Sequence, residues 1–127
     1  MKNIYSYFDL IDSIIRHSGA IDYGVNYTSV TPLSGLIKGT LYFADGSRLE
    51  FTEIVVIIAR HPEKQVYSYQ YLREDKTIFR YDNSPHHRRL PNFPHHKHIG
   101  RKVISASEPT LKDILNEIMD SIGQRNP

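Results

Sequence analysis

The chain has 127 residues, 39% of them hydrophobic and 24% charged, with a formal net charge of +2 at pH 7, which fits one soluble domain able to bury a core and argues against a disordered or fibrous protein. It contains no cysteine, so disulfides and thiolate metal centres are excluded. The longest apolar run, IVVIIA at residues 54–59, is too short to span a bilayer, and the amino-terminal stretch mixes charge into its apolar residues; the expectation is a cytoplasmic protein with neither membrane segment nor signal peptide.

Ile4, Phe8, Ile11 and Ile15 recur at helical spacing, Leu10 and Ile14 widen the stripe, and Asp9, Asp12, Ser13 and Arg16 take the other side. This predicts an amphipathic helix that Gly19 ends. Tyr23, Val25 and Tyr27 then alternate as in a short strand. LIKGTLYFADGSRLEFTEIVVI at residues 36–57 reads as a β-hairpin. A two-residue Asp45-Gly46 turn would place Leu41 opposite Glu50. A three-residue loop, Ala44 to Gly46, sets Leu41 opposite Leu49 with Gly46 left-handed, and is the register the apolar positions favour. The second strand is expected to continue through IVVIIA, buried on both faces or at the sheet centre.

HPEK at 61–64 is read as punctuation, and QVYSYQYLREDKTIFRYDN as a second strand pair turning near Arg73 to Lys76. Tyr67, Tyr69 and Tyr71 share one face, with rings expected in the core and hydroxyls at its rim. From Ser84 to His98, three prolines within ten residues forbid a helix and argue against a central strand, leaving a stiff loop. Leu111, Ile114, Leu115, Ile118 and Ile122 predict a closing helix, capped by Thr110 with Asp113 and stopped at Gly123. The expected fold is α+β in a single domain over 1–127: an antiparallel sheet of four to five strands, flanked by amino- and carboxy-terminal helices, with a loop rich in His, Arg and Pro.

That loop concentrates the chemistry. Five of the seven histidines, His86, His87, His95, His96 and His98, fall within thirteen positions. Residues 80–102 carry six basic side chains against one acid, a net +5, whereas the rest of the chain has ten basic and thirteen acidic groups, a net −3. Such a split attracts polyanions locally.

Three readings of the histidines compete. In the first, two imidazoles act as general base and general acid on a phosphodiester, with no metal and no cofactor. RNA supplies its own 2′-hydroxyl nucleophile, so a base, an acid and a cationic clamp suffice. Catalytic candidates are then Arg80, at the end of an apolar strand that can aim it, and His86, His87, His95, His96 and His98. Tyr81, Asn83, Arg88, Arg89 and Lys97 are candidates for holding substrate. In the second reading, His96 and His98, two apart in an extended segment, join His86 or His87 in a metal site; nearby arginine and lysine and the scarcity of carboxylates weigh against it. In the third, the histidines merely brace a solvated loop. Asp82 and Asn83 are expected to shape the turn, and His17 and His61 receive no role.

The succession FRYDNSPHH, a short spacer and FPHHKH, after VYSYQYL and the hairpin KGTLYFADGSRLEF, resembles the TumE family of toxin components from prokaryotic toxin–antitoxin modules. The likeness covers roughly residues 35–99, and the closing Pro-Thr-Leu helix agrees with it. It implies a small cytoplasmic growth inhibitor, neutralised by a cognate antitoxin that carries a helix-turn-helix. Its motif positions are Arg80, Tyr81, Asp82, Asn83 and Pro85, the pair His86 and His87, and Pro94, His95, His96, Lys97 and His98. Arg88-Arg89 departs from the family pattern, in which a proline and an acidic residue follow the first pair. At the level of fold alone, small ribonuclease toxins of the RelE and barnase kind offer an analogy. The expected partners are therefore RNA and the antitoxin, with no membrane and with a homodimer left open. The alternatives to a metal-independent endoribonuclease are a non-enzymatic RNA- or ribosome-binding growth inhibitor and a His-ligated metal-dependent hydrolase.

Overall fold

The computed structural model describes residues 1–125. Helix α1 (Ile4–Arg16) leads into seven strands, β1 (Asp22–Thr31), β2 (Ser34–Tyr42), β3 (Arg48–Ile58), β4 (His61–Arg73), β5 (Lys76–Asp82), β6 (His96–Ile99) and β7 (Lys102–Ser105), followed by helix α2 (Leu111–Arg125). All neighbouring strands pair antiparallel in chain order, giving one seven-stranded meander. The α+β expectation holds, but the sheet has seven strands rather than four to five. The two extra strands are β6 and β7, four residues each, emerging from the proline-rich segment after its last proline.

Asn3 caps α1 by accepting from Ser6 N at 3.1 Å. The predicted stripe buries Ile4, Phe8, Ile11 and Ile15, together with Tyr7. Leu10, expected to widen that stripe, is exposed, because it points away from the sheet. Burying an aliphatic side chain of this size contributes about 1.5–3 kcal/mol, so α1 is held by packing more than by helix propensity. Gly19 adopts a φ of 83° just beyond the helix. In α2 the Thr110–Asp113 box forms in both directions, Thr110 N donating to Asp113 Oδ2 at 2.9 Å and Asp113 N to Thr110 Oγ1 at 3.1 Å. The helix runs through Gly123 to Arg125 instead of stopping at the glycine.

The β2–β3 hairpin has Leu41 opposite Leu49 and Gly46 at φ 85°, which is the longer-loop register. β3 continues along the IVVIIA run as far as Ile58, yet Ile54 and Ile58 are exposed while Val55 and Ile57 are buried. It is therefore covered on one face only. The chain reverses at Ala59 and Arg60, with φ 49° and 66°, and HPEK is the start of β4 rather than punctuation. Glu74 and Asp75, both left-handed, close the next hairpin within the predicted turn.

Strand alternation sorts the sheet into two faces. Both helices cover the face bearing Ile37, Leu49, Phe51, Val55, Tyr69 and Phe79, which with the helix stripes form one continuous core. On the opposite face two neighbouring rows are polar. Lys38, Thr52, Ser68, Asp82 and His96 follow one another across five strands in one row, and Thr40, Glu50, Gln70, Arg80 and His98 in the next.

Candidate functional site

β5 and β6 bring the site together. Their register pairs Asp82 with His96 and Arg80 with His98, so two residues from each strand project side by side from the face without helices. Asp82 lies at the centre, with its side chain 5% exposed. Its Oδ1 accepts from Ser84 N at 3.0 Å and lies 2.8 Å from His96 Nε2. Its Oδ2 accepts from Arg80 Nε at 3.0 Å and lies 3.2 Å from His98 Nε2. One carboxylate thus organises a guanidinium and two imidazoles.

The ring of His96 is buried, and its Nδ1 lies 2.9 Å from the Pro94 carbonyl. A carbonyl only accepts, so Nδ1 carries hydrogen and Nε2 is the nitrogen directed at Asp82. His98 is half-buried. Burial holds its imidazole below the ordinary value, and the neighbouring His96 and Arg80 charges act in the same direction against the pull of Asp82.

The loop from Asn83 to His95 lies over one side of this group, held by Ser105 Oγ donating to the Pro91 carbonyl at 2.7 Å. Within it His87 adopts φ 58°, uncommon for a residue with a side chain. Its ring is 5.4 Å from that of His96 and 6.1 Å from that of His98, while His96 and His98 are 4.9 Å apart. With His86, Ser84, Gln70 and Thr77 these groups line a surface depression of about 500 Å³. A second depression of about 460 Å³, lined in part by Lys38, Thr40, Thr52 and Ser68, adjoins it through Gln70.

Of the candidates read from sequence, Arg80, His86, His87, His96 and His98 meet in this depression. The others stand elsewhere. His95 turns to the helix side, where its Nδ1 is 2.8 Å from Tyr67 Oη and its ring stacks on Tyr67 at 5.8 Å. Tyr81 and Lys97 alternate onto the helix face, where both donate to Glu117 of α2, at 2.5 and 2.9 Å. Asn83 ties β5 to β4, accepting from Tyr67 N at 2.9 Å and donating to Gln65 O at 3.0 Å. Arg88 and Arg89 are exposed in the loop.

Sequence reading gave Asp82 only a turn-shaping role. The signal was present, since Arg80 and Asp82 share a strand face, as do His96 and His98. What was missing was the pairing of the two segments, because the second was not read as a strand. Glu53 was also missed. It is fully buried on the helix face, where the hydroxyls of Tyr7 and Tyr69 donate to its two oxygens. Lys64 donates to Tyr69 Oη at 2.8 Å and to the Pro109 carbonyl, and burial lowers its pKa. This second polar cluster is enclosed by core and braces the helices against the sheet.

Among the described residues no helix is long and apolar enough to cross a membrane. The family model described as Toxin TumE matches residues 8–125. No curated protein matches, and no solved structure does.

Proposed function

Because the chain belongs to the TumE toxin family, a toxin component with a cognate antitoxin, we propose that it inhibits growth by cleaving RNA phosphodiesters in the depression around Asp82. The observation that carries this reading is the convergence of two imidazoles and one guanidinium on a single carboxylate, with the His87 ring beside them, on the sheet face that the helices leave open.

RNA brings its own nucleophile, so the chemistry asked of the protein is small. His86 and His87 are the exposed imidazoles of the depression and make up the proton-transfer pair. One ring accepts the 2′-hydroxyl proton as the P–O2′ bond forms. The other, protonated, gives its proton to the departing 5′-oxygen as the P–O5′ bond breaks. The products are a 2′,3′-cyclic phosphate and a 5′-hydroxyl, and no ion takes part in either transfer. Each well-placed proton transfer contributes about 10²–10⁴-fold. Arg80, anchored through Nε, presents its outer nitrogens to the phosphate, where a guanidinium pairs with two oxygens at once. The polar rows running back through Ser68 and Thr52 to Lys38 give the adjoining strand a path across the sheet.

Induced expression is expected to arrest growth and to shorten cellular RNA, and the double variant His86→Ala/His87→Ala to restore both while remaining soluble with an unchanged circular dichroism spectrum. Growth arrest with intact RNA would instead support the non-enzymatic RNA- or ribosome-binding inhibitor. Undiminished RNA cleavage by the double variant would reject the assigned pair.

A further inference from the structure

We propose that Asp82, His96 and His98 bind one divalent transition-metal ion of the zinc class, which fixes the floor of the depression. The donor atoms of the three residues all lie within 4.8 Å of one another. The two imidazole Nε2 atoms stand 2.8 and 3.2 Å from separate oxygens of the Asp82 carboxylate. Two ligands each bound to zinc at about 2.1 Å are about 3.0–3.4 Å apart for bond angles between octahedral and tetrahedral. Both nitrogen–oxygen separations are close to that range, and seating the ion asks the two imidazoles to turn toward a common point.

The hydrogen-bond arrangement of His96 points independently the same way. Its Nδ1 hydrogen is committed to the Pro94 carbonyl, which directs the lone pair of a neutral ring, on Nε2, straight at a carboxylate oxygen 2.8 Å away. Two acceptors at that distance repel unless something positive lies between them. A metal ion meets the requirement, and an imidazole that donates Nδ1–H to a backbone carbonyl while offering Nε2 to the ion is the usual posture of a histidine ligand. A second proton on the ring would also meet it, at the cost of enclosing an imidazolium and a carboxylate that are each almost wholly shielded from water.

The surroundings supply outer support. Ser84 N and Arg80 Nε both donate to the carboxylate, holding its orientation as bonded partners of metal-ligating carboxylates do. Arg80 is also a cation near the ion and weakens its binding. The scarcity of carboxylates that weighed against a metal in the sequence disappears once β5 delivers Asp82 between the two histidines.

Calorimetric titration of the purified full chain, freed of metal by chelation, with zinc chloride tests the site without any RNA. One zinc per chain is expected, with a raised thermal midpoint that EDTA reverses, since a ligand binding only the folded state stabilises it. Cobalt(II) in place of zinc should give visible absorption bands of a nitrogen- and oxygen-ligated ion. His98→Gln, at a half-exposed position the fold tolerates, should weaken zinc by more than about 100-fold, beyond the loss of an outer partner, while His95→Gln on the helix side changes nothing. Failure of the wild type to take up zinc overturns the proposal. Equal zinc uptake by wild type and His98→Gln also overturns it, marking adventitious capture by exposed histidines. RNA cleavage by a protein that binds no zinc would leave the ribonuclease reading standing and remove this one; zinc uptake by a protein that spares RNA would do the reverse.

Discussion

Asp82 shows how one side chain decides what its neighbours can do. A carboxylate 5% exposed and bonded to Arg80, Ser84 and His96 sets the direction of each ring and guanidinium around it, and those rings would otherwise adopt many rotamers. Glu53 plays the corresponding part inside the core. It binds the hydroxyls of Tyr7 and Tyr69, and both phenols are pushed well above their ordinary value, first by burial and then by the Glu53 charge. Their folded pKa values exceed those of the unfolded chain, so this stabilisation is fully present below about pH 10 and is lost as pH rises above it. Stability against denaturant is expected not to change with pH through these groups near neutrality and to fall above about pH 10. Tyr69→Phe should cost about 1.5–3 kcal/mol at neutral pH, the loss of a bond to a charged acceptor, and should flatten the alkaline decline. Tyrosinate absorbance checks this directly: all nine tyrosines ionising as one class in the folded protein would contradict it.

At the scale of elements, legibility followed periodicity. Both helices were readable because their apolar residues repeat over three or four turns, and the β2–β3 register because only one loop length keeps Leu41 and Leu49 on the same face. β6 and β7 were not. Four residues carry almost no period, and His-Lys-His-Ile has no apolar alternation to declare a strand. Its pairing with β5 comes from tertiary context, and with that pairing unread the site's central carboxylate stayed hidden, while His95, Tyr81 and Lys97 could not be assigned to the opposite face. The docking of α1 rests on a further detail of β2. A Cβ at Gly35 would lie 2.6 Å from Phe8 Cζ and 2.8 Å from the Thr28 carbonyl oxygen, and the second of these is backbone that cannot turn aside. Gly35→Ala is expected to destabilise by about 1–3 kcal/mol, the cost of overpacking, measured as a lowered urea midpoint. Gly24→Ala, with nothing within 4 Å of its new methyl, should not lower it.

The whole molecule divides its labour between two sides of one sheet. The helix side holds the core and the Glu53 cluster, and supplies rigidity. The open side carries polar rows that end at the histidine floor, so strands aim the groups and a loop completes them. Family membership was legible from the loop sequence, and the structure adds which half of that motif faces outward. The most direct measurement is the fate of a defined RNA incubated with the purified chain. Wild type and His95→Gln are predicted to cut it to fragments ending in 2′,3′-cyclic phosphate, and Arg80→Ala, on the open face, to cut at least about 100-fold more slowly, the loss expected when charge stabilisation of the transition state is removed. RNA left whole by the wild type, or cleavage lost in His95→Gln and retained in Arg80→Ala, would contradict the account.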